Sequence, residues 1–203
     1  MRRWPVQVIA NGDPNSPPPR RFDGQGMAYD SVTGNVVLFG GIVQGNTYLG
    51  DTWIWNGVAQ TWTRLSPATS PSPRGGQGMT NDRAGNVVLF GGTNGTANLA
   101  DTWVWNGATW QQQSPATSPA ARSGQAMVFD SDLSQVVLFG GYLLSDTWTW
   151  DGSNWTQLFP ATVPPDRYAF GMDYDSAAHA VAIFGGFSSG DIRPDTWELA
   201  LAP

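Results

Sequence analysis

The stretch Val36-Val37-Leu38-Phe39-Gly40-Gly41 returns three times along the chain, as Val87-Val88-Leu89-Phe90-Gly91-Gly92, Val136-Val137-Leu138-Phe139-Gly140-Gly141 and Val181-Ala182-Ile183-Phe184-Gly185-Gly186. The second glycines fall at 41, 92, 141 and 186, so the spacings are 51, 49 and 45 residues. A repeat of that period implies one supersecondary unit used four times, each unit burying its faces against the next.

Outward from that stretch the units stay in register. Each has an upstream Met-x-x-Asp segment (Met27 to Asp30, Met79 to Asp82, Met127 to Asp130, Met172 to Asp175) and a small polar turn. After the Gly-Gly doublet comes a variable polar segment, then Asp-Thr-Trp at Asp51, Asp101, Asp146 and Asp195. Three units continue to a second tryptophan (Trp55, Trp105, Trp150) and turn at Asn56-Gly57, Asn106-Gly107 or Asp151-Gly152, strong signals for tight hairpins. A further tryptophan follows at Trp62, Trp110 or Trp155. Four short antiparallel strands per unit follow, called a, b, c and d below. Helix is excluded, because glycine, proline and β-branched clusters interrupt every stretch long enough to carry one. Units of this kind predict an all-β fold, a β-propeller of four four-stranded blades in a single domain over 1–203. The blades are expected at about 20–65, 74–113, 122–158, and 167–199 completed by residues 4–9.

Composition sets limits on function. Charged residues are only 13% of the 203, against 25 glycines, 15 prolines and 11 tryptophans, which suits a turn-rich β protein. The net charge of −6 argues against nucleic acid or an anionic membrane as partner, since both select for positive charge. With no cysteine there is no disulfide, thiol nucleophile or thiolate metal site. No apolar run is long enough to span a bilayer, and Met1-Arg2-Arg3-Trp4-Pro5 lacks the apolar core of a signal peptide, so a cytoplasmic or mature secreted form is expected. His179 is the single histidine, and no catalytic triad, metal motif or phosphate loop can be assembled. No catalytic residue, metal or cofactor is expected.

The pattern P-x-x-R, M-x-x-D, VVLFGG and DTWxW resembles the kelch repeat in its bacterial form, from about residue 20 to residue 199. The resemblance implies a propeller ring closed by an N-terminal strand that completes the last blade. Trp4-Pro5-Val6-Gln7-Val8-Ile9 precedes the first unit as Trp62-Thr63-Arg64-Leu65 precedes the second, which makes Trp4 the ring-closing residue. A monomer is favoured, with a swapped dimer or an eight-bladed ring closed in trans as alternatives.

In such blades the b–c and d–a connections share one face, and these are the variable segments where binding residues concentrate. Arg74, Arg122 and Arg167 lie there, five residues before the repeat methionines, with Arg20 and Arg21 near the equivalent place in the first unit. Two readings stand: a guanidinium ring gripping an acidic ligand, or blade-to-blade clasps to Asp51, Asp101, Asp146 and Asp195. Kelch relatives that bind acidic peptides use arginines at this place, which the resemblance carries over to Arg21, Arg74, Arg122 and Arg167. Tyr142 and Phe187 directly follow glycine doublets and, together with Tyr48, suit a platform for sugar rings. The expectation is a non-catalytic module that takes a protein or glycan ligand, an acidic peptide or a carbohydrate, on the loop face. Its rivals are a carbohydrate-active enzyme of the sialic-acid mutarotase type and a structural scaffold or fragment of a larger propeller.

Overall fold

The computed structural model describes residues 16–20 and 26–200. The first blade is a sheet of β1 (Gly26–Asp30), β2 (Asn35–Val43), β3 (Thr47–Asn56) and β4 (Thr61–Leu65), paired in that order. The second holds β5 (Gly78–Asn81), β6 (Val87–Phe90), β7 (Thr102–Trp105) and β8 (Trp110–Gln113), and the third β9 (Ala126–Asp130), β10 (Gln135–Phe139), β11 (Thr147–Trp150) and β12 (Trp155–Leu158). The fourth carries β13 (Gly171–Asp175) and β14 (Ala180–Phe184), then a small ribbon of β15 (Phe187–Ser188) and β16 (Asp191–Ile192), then β17 (Thr196–Leu199). Its sheet has three strands among the described residues, ordered β13-β14-β17. The all-β propeller of four antiparallel blades is therefore the fold. Residues 4–9, with Trp4, lie outside the described residues.

Every pairing is antiparallel and the register repeats: Leu38 opposes Trp53, Leu89 opposes Trp103, Leu138 opposes Trp148 and Ile183 opposes Trp197. Because side chains alternate across a strand, the VVLF run sends two residues to each neighbouring blade. Val37 and Phe39 pack on Val87, Leu89, Trp105 and Trp110 of the second blade. Val88 and Phe90 in turn pack on Met127, Val136, Leu138, Trp150 and Trp155 of the third. This is why the strands read as continuous apolar runs: both faces are interior.

Among the described residues the third joint is centred on Val128, Val137 and Val181, with Met172, Tyr174 and Leu199 packed around them. Leu199 stands where the other blades have a second tryptophan. The innermost strands pack in succession, β1 on β5, β5 on β9 and β9 on β13, and no comparable packing joins β13 to β1. The repeat methionines accordingly differ: Met127 is buried, whereas Met27 is exposed.

Candidate functional site

Each arginine is locked in place by its own repeat. Arg74 donates to both oxygens of Asp101 at 2.6 and 2.8 Å, and Arg122 to both of Asp146 at 2.7 and 2.8 Å. Arg167 reaches Asp195 at 3.0 Å twice. In the first blade the pair is Arg20 with Asp51, at 2.8 Å twice, while Arg21 lies outside the described residues. Each guanidinium also donates to the first glycine of its doublet, for example Arg122 Nη1 to the Gly140 carbonyl at 3.0 Å. The indole of the same Asp-Thr-Trp closes the far side: Trp53, Trp103, Trp148 and Trp197 donate to their aspartates.

The ion pairs thus stay within one repeat and do not clasp one blade to the next as expected. What spans two blades is the arginine main chain, whose carbonyl accepts from the second glycine of the preceding doublet: Gly41 to Arg74 at 2.8 Å, Gly92 to Arg122 at 2.8 Å, Gly141 to Arg167 at 3.0 Å. Here lies the reason for glycine. Gly91 has φ +65°, and a Cβ on it would stand 2.8 Å from the Arg122 carbonyl oxygen. Gly40 has φ +63°, with the corresponding approach to Arg74 at 2.6 Å. A side chain there would both strain the backbone and push the next blade away.

Arg74, Arg122 and Arg167 are fully buried. Burial alone pushes Asp101 and Asp146 up, but the hydrogen bonds from Arg74 with Trp103, and from Arg122 with Trp148, together with the guanidinium charge, outweigh it and hold both below the usual carboxylate range. Asp51 is lowered by the same balance against Arg20 and Trp53. A carboxyl whose folded pKa lies below its unfolded value, near 3.9, adds stability above that pH and loses it as pH falls through the folded value. The unfolding free energy is therefore expected to lose nothing from these pairs between neutrality and about pH 5 and to decline below about pH 4. Urea titrations across a pH series check this; a decline from these groups beginning near neutrality would contradict it.

With the arginines withdrawn, the loop face presents a different surface. The b–c connections and the segments just before strand a of the second, third and fourth blades surround a funnel of about 830 Å³. Tyr48, Tyr142 and Phe187 line it, with Tyr168 and Phe170 beside them. Tyr168 sits at the centre of an aromatic row, 5.5 Å from Tyr142 and 5.8 Å from Phe187 between ring centroids. The polar lining among the described residues is neutral: Asn46, Gln77, Thr93, Ser123 and Gln125, with no charged side chain among them. Gln77 and Gln125 are buried, each Nε2 donating across the joint to the Phe39 or Phe90 carbonyl at 2.8 Å, each Oε1 without a protein partner.

Of the residues singled out in the sequence, the structure brings Tyr48, Tyr142 and Phe187 to the funnel and sets the arginine–aspartate pairs behind its wall. Tyr168, Phe170 and the two glutamines were missed. Their signal lay in the three residues after each repeat arginine, Gly75-Gly76-Gln77, Ser123-Gly124-Gln125 and Tyr168-Ala169-Phe170, where the fourth unit replaces small and amide residues with rings.

On the opposite face the a–b turns are closed locally. Asp30 accepts from the Val32 and Thr33 amides, Asp130 from Asp132 and Leu133, and Asp175 from Ala177 and Ala178. His179 is exposed there, its Nδ1 2.5 Å from Asp132 Oδ2 of the third blade.

A search of curated proteins found no match for this chain. Residues 3–142 match the family model described as the KLHDC2/KLHL20/DRC7 Kelch-repeats domain. That span takes in the first two blades and most of the third, and the fourth repeats their glycine doublet, clasp and register; the chain belongs to the kelch-repeat family of that type.

Proposed function

We propose that this protein is a non-catalytic binding module whose funnel takes an uncharged, ring-bearing segment of a protein partner. Kelch propellers typically serve as protein-interaction modules. The observation that carries the finer reading is the contrast between the funnel and what lies behind it: an aromatic lining with neutral polar groups, from which every described repeat arginine has been withdrawn into an ion pair. Recognition of an acidic peptide needs guanidinium donors at the surface, and here their donors are engaged by aspartate and carbonyl oxygens. A carbohydrate-active chemistry built on these arginines meets the same obstacle. Tyrosine anchors at the centre of a concave site are the usual carriers of binding energy.

A carbohydrate is the second reading, favoured by the row Tyr142–Tyr168–Phe187 next to amide side chains. A displayed random-peptide library and a glycan array, screened with the same protein, separate the two. Tyr142→Ala, at an exposed position, is expected to weaken the selected peptides by about tenfold or more with the melting temperature unchanged. Affinity for neutral ligands should also vary little with salt. Selection of acidic peptides whose binding collapses with added salt would overturn the reading.

A further inference from the structure

The blade-to-blade joint is built from parts that recur, and among the described residues the first and fourth blades each hold one unmatched half. In the joints between blades a methionine fills the space over the preceding blade's strand a: a Cβ on Gly26 would stand 2.3 Å from Met79 Sδ, and one on Gly78 2.5 Å from Met127 Sδ. The strand-d indole then crosses the same joint. Trp110 packs edge-on against Phe39 and donates to Thr52 Oγ1 at 3.0 Å, and Trp155 does the same with Phe90 and Thr102 Oγ1 at 2.9 Å.

On the outer face of the first blade, Met27 and Tyr29 are 46% and 55% exposed, and Trp55 and Trp62 only half-buried, where their equivalents in the next two blades are fully buried. On the outer face of the fourth, the space over Gly171 is open among the described residues, the nearest of them being the Phe184 carbonyl of its own sheet at 3.8 Å. Phe184 is 61% exposed, although Phe39, Phe90 and Phe139 are buried, and Thr196 is exposed where Thr52 and Thr102 accept an indole.

We propose that these two faces dock between two copies of this chain, head to tail, so that two arcs of four blades close as one ring of eight. The occupant is identified by continuity with the internal joint: Met27 and Trp62 are the parts that Gly171, Phe184 and Thr196 lack. A head-to-tail contact generates either a closed ring or an open polymer, and eight blades is within the range of propellers. Asp173 and Glu198 share the outer face of the fourth blade, at positions held in the other blades by Ala28, Thr80 and Val128, and by Ile54, Val104 and Thr149. Placing these carboxylates in a joint has a desolvation cost, which makes the association reversible and dependent on concentration. The facing blade carries donors for them in the Tyr29 hydroxyl and the Trp55 and Trp62 indoles. The two funnels then merge into one opening at the centre of the ring, walled by both copies.

The test is the mass in solution by sedimentation equilibrium over a concentration series. The wild-type chain is expected to pass from 21.8 kDa to twice that mass as concentration rises. Gly171→Leu fills the open space, and Met27→Arg charges the opposite face. Both sites are exposed, so both variants should keep the wild-type circular dichroism while remaining single chains, and an equimolar mixture should restore a two-chain species through its one intact joint. A single-chain mass for the wild type at every concentration, species larger than two chains, or undiminished association in either variant would overturn the proposal.

Discussion

Arg122→Ala is expected to destabilise the protein by about 3–5 kcal/mol, the range for removing one partner of a buried ion pair. The guanidinium is fully buried and makes four hydrogen bonds: two to Asp146, one to the Gly140 carbonyl and one, through Nε at 3.0 Å, to the Ala120 carbonyl. Alanine leaves a void and strands Asp146, whose side chain is only 24% exposed, with the Trp148 indole as its remaining side-chain donor. Lysine should recover little, because a point charge cannot match the two parallel bonds and the carbonyl contact at once. The double variant Arg122→Ala/Asp146→Ala should be more stable than Arg122→Ala alone, since it removes the uncompensated charge. Urea unfolding of the four proteins measures this directly. If the single variant loses under about 1 kcal/mol, the pair behaves as a surface pair and the arginine is free for another task. Ligands selected on the wild-type protein should bind folded Arg122→Ala with nearly unchanged affinity, because the guanidinium lies behind the funnel wall.

The clasp explains which parts of this molecule were legible in the sequence and which were not. Gly40-Gly41 and its copies announced the repeat because a backbone constraint admits one residue type, so no drift is tolerated. The apolar alternation of Val37 and Phe39 against Val36 and Leu38 gave the two-sided burial, and the Asn-Gly turns gave the strand count. Spacing alone left the arginines open between two roles, because an arginine near a loop reads the same whether it faces solvent or a carboxylate. Its fate depends on where Asp101 or Asp146 arrives, 27 or 24 residues later, and on the glycine carbonyl that occupies a third donor. The funnel was legible in part. Tyr142 and Phe187 stand out as aromatics beside the doublets, and Tyr48 as one further along the same connection. Tyr168 and Phe170 belong to strand-a approaches that read as ordinary repeat variation, and only the ring geometry places them beside Tyr142 and Phe187. The lack of packing between β13 and β1 was invisible to the motif, because every copy satisfies it equally; the difference appears in burial, at Met27 and Phe184.

That difference also governs the second large effect, Trp155→Ala. Trp155 is fully buried, 5.2 Å from Phe90 and 5.4 Å from Trp150 between ring centroids, with its indole donating to Thr102. Truncation removes this apolar area, opens a cavity at the centre of the second joint and leaves the buried Thr102 hydroxyl without its donor. The expected cost is about 3–5 kcal/mol, lowering the melting temperature by roughly 6–20 °C for a domain of this size. Trp62 occupies the same repeat position in the first blade but is half-buried, with Trp55 at 5.4 Å as its ring partner. In the single chain Trp62→Ala should therefore cost less than Trp155→Ala by about 2 kcal/mol or more. If the outer faces dock between copies, Trp62 acquires a Phe184 and a Thr196 to complete the arrangement that Trp155 enjoys within the chain. Its substitution should then become more costly as protein concentration rises, while the cost of Trp155→Ala stays fixed. Melting curves of both variants at low and high concentration make the comparison. Equal costs at all concentrations would mean that the Trp62 position is already filled within one chain, and the two ends would then not be open halves of a joint.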